Sequence, residues 1–99
     1  MPFSLKDRVA LVTGSSSGIG QATAIWFARA GADVVVHYNR DEAGAQETAR
    51  QVREAGAKAA VLQANLMQPD DPERLVAGAV AAFGKLNVVV NSAGDIRER

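Results

Sequence analysis

The sequence predicts an α/β fold, a doubly wound parallel sheet of about four strands and three helices in the spatial order 3-2-1-4. Three observations predict it. Short apolar, mostly β-branched runs alternate with stretches of helical spacing along the whole chain. Glycines mark most of the switches from helix to strand. The connections are short, so the strands should be neighbours joined by right-handed crossovers, with helices on both faces.

Val9-Ala10-Leu11-Val12, with charge before it and glycine after, has the form of a buried parallel strand. From the end of the segment Thr13–Gly20 onward, Ile19, Thr23 and Phe27 recur at fourfold spacing beside Ala24 and Ala28, predicting one apolar face on a first helix that closes near Gly31. Val34-Val35-Val36 is a second strand leading into His37-Tyr38-Asn39-Arg40, whose end should lie beside the glycine-rich segment. From Asp41 to about Ala55, Ala45, Thr48, Ala49 and Val52 form a stripe, while Glu42, Gln46, Glu47, Arg50, Arg53 and Glu54 take the other positions. Gly56 stops this second helix.

Ala59-Ala60-Val61-Leu62 is a third strand ending at Gln63-Ala64-Asn65. Asp71-Pro72-Glu73 then offers an N-cap, a proline at the first helical position and an acidic first turn. The third helix is expected to carry Leu75, Val76, Ala79, Val80 and Phe83 inward and to end at Gly84. Leu86 with Val88-Val89-Val90 makes a fourth strand running into Asn91-Ser92-Ala93-Gly94 and a charged tail. With no repeat, low-complexity segment or linker, residues 1–99 read as one continuous unit.

Ninety-nine residues with 47% hydrophobic content and three prolines can bury one core but not two. Lys plus Arg equals Asp plus Glu at 11 each, with the basic residues dispersed, so neither nucleic acid nor a membrane surface is an expected partner. The absence of cysteine removes disulfides, thiolate metal sites and cysteine nucleophiles, and the single histidine, His37, removes a histidine metal cluster. No metal is expected. Residues 1–8 contain no basic segment leading into an apolar run, and no stretch approaches the length of a membrane span, so the expectation is a soluble, cytoplasmic protein.

The chemistry is expected at Gly14-Ser15-Ser16-Ser17-Gly18-Ile19-Gly20. A glycine-rich turn after a first strand and at the start of a helix gathers backbone N–H groups and the positive helix end, which suits a pyrophosphate. Gly14 serves the turn, Gly18 lets backbone approach phosphate oxygens, Gly20 lets the helix pack closely, and the hydroxyls of Ser15, Ser16 and Ser17 add donors. Glycines at this spacing also make ordinary strand-to-helix turns. Here the flanking strand and helix are both predicted.

Thr13-Gly14-x-x-x-Gly18-x-Gly20 resembles the fingerprint of short-chain dehydrogenases/reductases, and Asn91-Ser92-Ala93-Gly94 resembles that family's Asn-Asn-Ala-Gly after the fourth strand. The resemblance covers essentially the whole chain. Within the family it is nearest the glucose 1-dehydrogenase and 3-oxoacyl-carrier-protein reductase type. It implies a Rossmann fold, a nicotinamide dinucleotide, hydride transfer between an alcohol and a carbonyl, and a homo-oligomer for a complete protein. It also implies cofactor contacts at Asn65, Leu66, Asn91, Ala93 and Gly94.

NAD-preferring members place an acid near the end of the second strand; this chain has Tyr38, Asn39 and Arg40. Arg40 can pair with a 2′-phosphate, with Asn39 and a loop serine adding donors, so the expected cofactor is NADP, with NAD the alternative. Arg40 can also be a solvated residue at a helix start, with Asp41 beside it offsetting its charge. His37 fits strand-end packing better than catalysis, and Trp26 fits packing or an interface. Asn65 stands where the resemblance leads to an Asp near the adenine, Asn87 where an Asp often opens the fourth strand, and Ser92 where the second Asn would be.

The family's catalytic Ser, Tyr and Lys are expected beyond Arg99. Tyr38, the sole tyrosine, is followed four residues later by Glu42 rather than Lys, so no catalytic residue is assigned within the chain. Three readings remain open: part of a longer oxidoreductase, a noncatalytic nucleotide-binding module, or a structural piece completed by another chain. Val88-Val89-Val90 would otherwise stand on an open apolar edge.

Overall fold

A computed structural model describes residues 4–92. Its elements follow in strict alternation: β1 (Val9–Thr13), α1 (Gly18–Arg29), β2 (Asp33–Tyr38), α2 (Glu42–Glu54), β3 (Ala59–Gln63), α3 (Asp71–Phe83) and β4 (Val88–Asn91). The strands form one parallel sheet in the order β3-β2-β1-β4, the predicted Rossmann-type arrangement. Leu11 of β1 sits level with Val35 of β2 and Val89 of β4. No helix among the described residues is long and apolar enough to cross a membrane.

Alternation along the strands divides the core in two. Val12, Val34 and Val36 face Ala24 and Ala28 of α1 and Ala45, Ala49 and Val52 of α2. Val9, Leu11 and Val35 point the other way, against Leu75 and Ala79 of α3. The stripe predicted on α2 is buried residue for residue, Thr48 included.

The faces of α1 and α3 differ from the pattern. On α1 the buried residues are Gly20, Ala24 and Ala28, while Ile19 is 81% exposed and the hydroxyl of Thr23 donates to the Ile19 carbonyl. The helix lies close to the sheet, and close approach selects the smallest side chains over the largest apolar ones. On α3, Leu75 and Ala79 are buried but Val76 and Val80 are exposed. Nothing among the described residues covers that side of the helix. The α3 cap also shifts: Asp70 is the N-cap, and the carboxylate of Asp71 instead accepts the Asn65 N–H at 2.8 Å.

The fourth strand is an edge, as its valines suggested, and Val89 is exposed. Its inner side is clipped firmly. Asn87 accepts the Val9 N–H on its side-chain oxygen at 2.9 Å and donates its own N–H to the Val9 carbonyl at 3.0 Å. An Asp there would offer the same acceptor, so the Asn preserves the junction. At the far end, Ser92 donates its N–H to the Thr13 hydroxyl oxygen at 2.9 Å and its hydroxyl to the Thr13 carbonyl.

Candidate dinucleotide site

The chain runs outward from β1 to β2 to β3 and then returns across the sheet to β4, so the strand order reverses beside β1. A crevice opens at the carboxyl ends of strands at such a reversal. The glycine-rich loop occupies this point. Gly14 leaves β1 with φ +62° and Gly18 opens α1 with φ +59°, a backbone region that side chains resist. Gly20 has no such torsion; a Cβ there would lie 2.1 Å from the Gly14 carbonyl oxygen. Its closest approach is thus to the loop's own first turn.

Ser17, the N-cap residue of α1, makes no side-chain capping bond, and the first turn holds no acid. The first hydrogen bond into the helix is Gln21 N–H to the Ser17 carbonyl, so the donors of Gly18, Ile19 and Gly20 precede the helical ladder. This is the arrangement an anion requires. Ser16 and Ser17 lie on the outer part of the loop, half-buried and exposed.

Ser15 departs from expectation, being wholly buried. Its hydroxyl donates to the Val12 carbonyl at 2.7 Å and accepts the His37 N–H at 3.0 Å, and its own N–H donates to the His37 carbonyl at 3.0 Å. The Thr48 hydroxyl donates to the Ser15 carbonyl at 2.7 Å. Ser15 therefore anchors the loop rather than presenting a hydroxyl to a phosphate.

Beside the loop, an open cleft of about 400 Å³ is lined by His37, Asn39, Ala64, Asn65, Leu66, Met67 and Asn91. It brings together Asn39 from just past β2, Asn65 and Leu66 from just past β3, and Asn91 from the end of β4. Within it the Asn65 side-chain oxygen accepts the Met67 N–H at 3.0 Å, and the Asn91 side-chain oxygen accepts the Thr13 hydroxyl at 3.0 Å. His37, Ala64 and Met67 are the wall residues that sequence reasoning missed. A methionine outside any periodic segment carries no signal, and the direction of His37 depends on strand alternation.

That alternation also removes Tyr38 from the cleft. Like Val34 and Val36, Tyr38 faces the α1/α2 side and packs half-buried on that cluster. Arg40 is exposed just past β2 and makes no ion pair among the described residues. Asp41 forms no ion pair with it among the described residues; the Asp41 carboxylate accepts the Gly44 N–H at 2.9 Å as the N-cap of α2. Ala93 and Gly94 lie outside the described residues.

The ring of His37 is held from both sides. Gly14 N–H donates to Nδ1 at 2.9 Å, and Nε2 lies 2.9 Å from the Ala64 carbonyl oxygen. A carbonyl only accepts, so Nε2 carries the proton and the ring is neutral. Burial lowers the histidine pKa, opposed by the bond to Ala64.

Comparison with known proteins agrees with this geometry. The model of the short chain dehydrogenase family matches residues 8–99. The chain belongs to that family. It is 44% identical over 93 residues to the short-chain dehydrogenase/reductase FrzI of Cladobotryum sp, covering 94% of this chain and 36% of that protein. A Sinorhizobium meliloti 1021 structure named as a short-chain alcohol dehydrogenase superposes with a TM-score of 0.90 at 36% identity, covering 98% of this chain and 38% of the other. A Burkholderia cenocepacia structure, named as a dehydrogenase with bound NADP, superposes with a TM-score of 0.86 at 40% identity over 89% of this chain and 34% of the other. This short-chain dehydrogenase chain thus spans about a third of the length of the proteins it matches.

Proposed function

We propose that this chain is the nucleotide-binding part of an oxidoreductase that moves hydride between NADP(H) and an alcohol or carbonyl substrate. The observation that carries the reading is the uncapped N-terminus of α1 behind the glycine loop, placed at the reversal of strand order. The N–H groups of Gly18, Ile19 and Gly20, with the hydroxyls of Ser16 and Ser17, would hold the pyrophosphate. Asn39, Asn65, Leu66 and Met67 would enclose the adenosine end in the cleft. Asn91, with Ala93 and Gly94, would continue the site toward the nicotinamide. When bound, the dinucleotide supplies or accepts the hydride; the residues of this chain bind and orient it.

Arg40 sets the preference for NADP. It stands exposed with no bonded counter-ion where NAD-preferring proteins carry an acid, and a 2′-phosphate would meet its guanidinium through charge-assisted hydrogen bonds. The proton-transferring groups of the reaction are assigned to polypeptide other than these 99 residues. The exposed Val76, Val80 and Val89 favour such further polypeptide over an independent binding module.

The test is parallel titration of the full protein with NADPH and NADH, with Arg40→Ala beside the wild type. Wild-type protein should bind NADPH more tightly, and Arg40→Ala should weaken NADPH by about tenfold or more while leaving NADH nearly unchanged. Equal wild-type affinities would remove the NADP preference, and binding of neither would overturn the whole reading.

A further inference from the structure

The dinucleotide reading leaves one residue without a task. His37 is 2% exposed, and a histidine so buried at the mouth of a binding cleft calls for a reason. All four of its polar atoms are committed to two short segments. Its N–H donates to the Ser15 hydroxyl oxygen and its carbonyl accepts the Ser15 N–H, both at 3.0 Å. Its Nδ1 accepts the Gly14 N–H and its Nε2–H donates to the Ala64 carbonyl, both at 2.9 Å. One side chain thus ties the first residue of the glycine loop to the residue after β3.

Gly14 is where a tie is needed. A glycine with positive φ has the widest conformational choice of any residue, and the direction of the following donors depends on which conformation it takes. The backbone of Ser15 is gripped by His37 and Thr48, but the Gly14 N–H is held by the imidazole alone among the bonds described. Without that acceptor, a part-buried N–H would be left unsatisfied and the turn free to rearrange around it.

We propose that His37 is a positioning residue for the dinucleotide, fixing the glycine loop against the rim of the cleft so that the pyrophosphate donors are set before the ligand arrives. The inference rests on the dinucleotide reading above. His37 acts through the loop and touches neither the pyrophosphate nor the reacting atoms.

Two polar substitutions separate positioning from packing. The side-chain oxygen of His37→Asn can stand near the place of Nδ1 and accept from Gly14, losing Ala64. The longer amide of His37→Gln can reach Ala64, losing Gly14. Each orphans one backbone group, so both should lower the melting temperature by comparable amounts. In the full protein, His37→Asn should keep the Kd for NADPH within about threefold of wild type, while His37→Gln and His37→Leu weaken it by about tenfold or more. The loss should appear in the KM for NADPH, with kcat at saturating cofactor nearly unchanged.

If His37→Leu does not fold, the Asn and Gln pair carries the comparison. Equal NADPH affinity for Asn and Gln variants would show a structural role only and overturn the proposal. Wild-type protein that fails to bind NADPH overturns the dinucleotide reading and this inference with it. Wild-type binding with unaffected variants overturns this inference alone.

Discussion

Gly18 and Gly20 look alike in the sequence, yet a methyl group would meet different obstacles at each. At Gly20 it would stand 2.1 Å from the Gly14 carbonyl oxygen and 3.0 Å from the Ser15 Cα, both backbone atoms that cannot rotate away. At Gly18 it would meet open space, and the cost is the positive φ alone, about 1–2 kcal/mol. Gly20→Ala should therefore destabilise more than Gly18→Ala, by an overpacking cost of about 1–3 kcal/mol or more, measurable in denaturant unfolding. The need for glycine was legible because it is a local backbone demand; the inward turn of Ser15 was not, because it is set by β2 and α2. His37 carries a pH prediction at the same scale. Its folded pKa is lowered, so below the unfolded value of about 6.5 the unfolded chain binds a proton that the folded chain refuses. Stability should be full above that pH and fall as the pH drops toward the folded pKa. His37→Asn should flatten this part of a melting-temperature profile, and an unchanged slope would assign it to other groups.

Helix α2 was the most legible element, since its alternation of small apolar and charged residues leaves only one face to bury and all four predicted residues are buried. Its start depends on Asp41, whose carboxylate accepts the Gly44 N–H. Asp41→Ala should cost about 1 kcal/mol of unfolding free energy, whereas Asp70→Ala should cost less, because the Asp70 side chain makes no capping bond at α3. Comparable losses at both sites would contradict the capping geometry. On α1 the sequence pattern put Ile19, Thr23 and Phe27 beside Ala24 and Ala28 on one inward face; Ala24 and Ala28 are buried together with Gly20, Phe27 packs partly buried against them, and Ile19 is exposed. Hydrophobicity ranks side chains by size, whereas a helix drawn close to its sheet selects small ones, and the separation of helix and sheet is not written in any single segment. The α3 shift has another origin: Val76 and Val80 carry an apolar signal for a surface that the described residues leave uncovered.

At the scale of the molecule, strand order and both core layers were readable because alternation and short connections admit few topologies. The cleft was only half readable, since its wall is assembled from the ends of three strands and from Met67 in an irregular turn. The same topology leaves Val80 exposed, and exposes Val76 and Val89 at an open hollow of about 300 Å³ lined also by Leu11, Leu66, Pro72 and Leu75. Apolar surface gains about 25 cal/mol per Å² on burial, and β4 adds unpaired backbone groups along its outer edge. Both act in the same direction, so the 99-residue chain by itself should associate through the α3/β4 side. Light scattering should show oligomers or aggregates at micromolar concentration, and Val76→Lys combined with Val89→Lys should shift the distribution toward monomer. That hollow shares Leu66 and Asn91 with the dinucleotide cleft, so the double variant tests association alone and is not a control for NADPH binding. A monodisperse wild-type monomer would show that the exposed valines do not drive association and would favour the self-sufficient module.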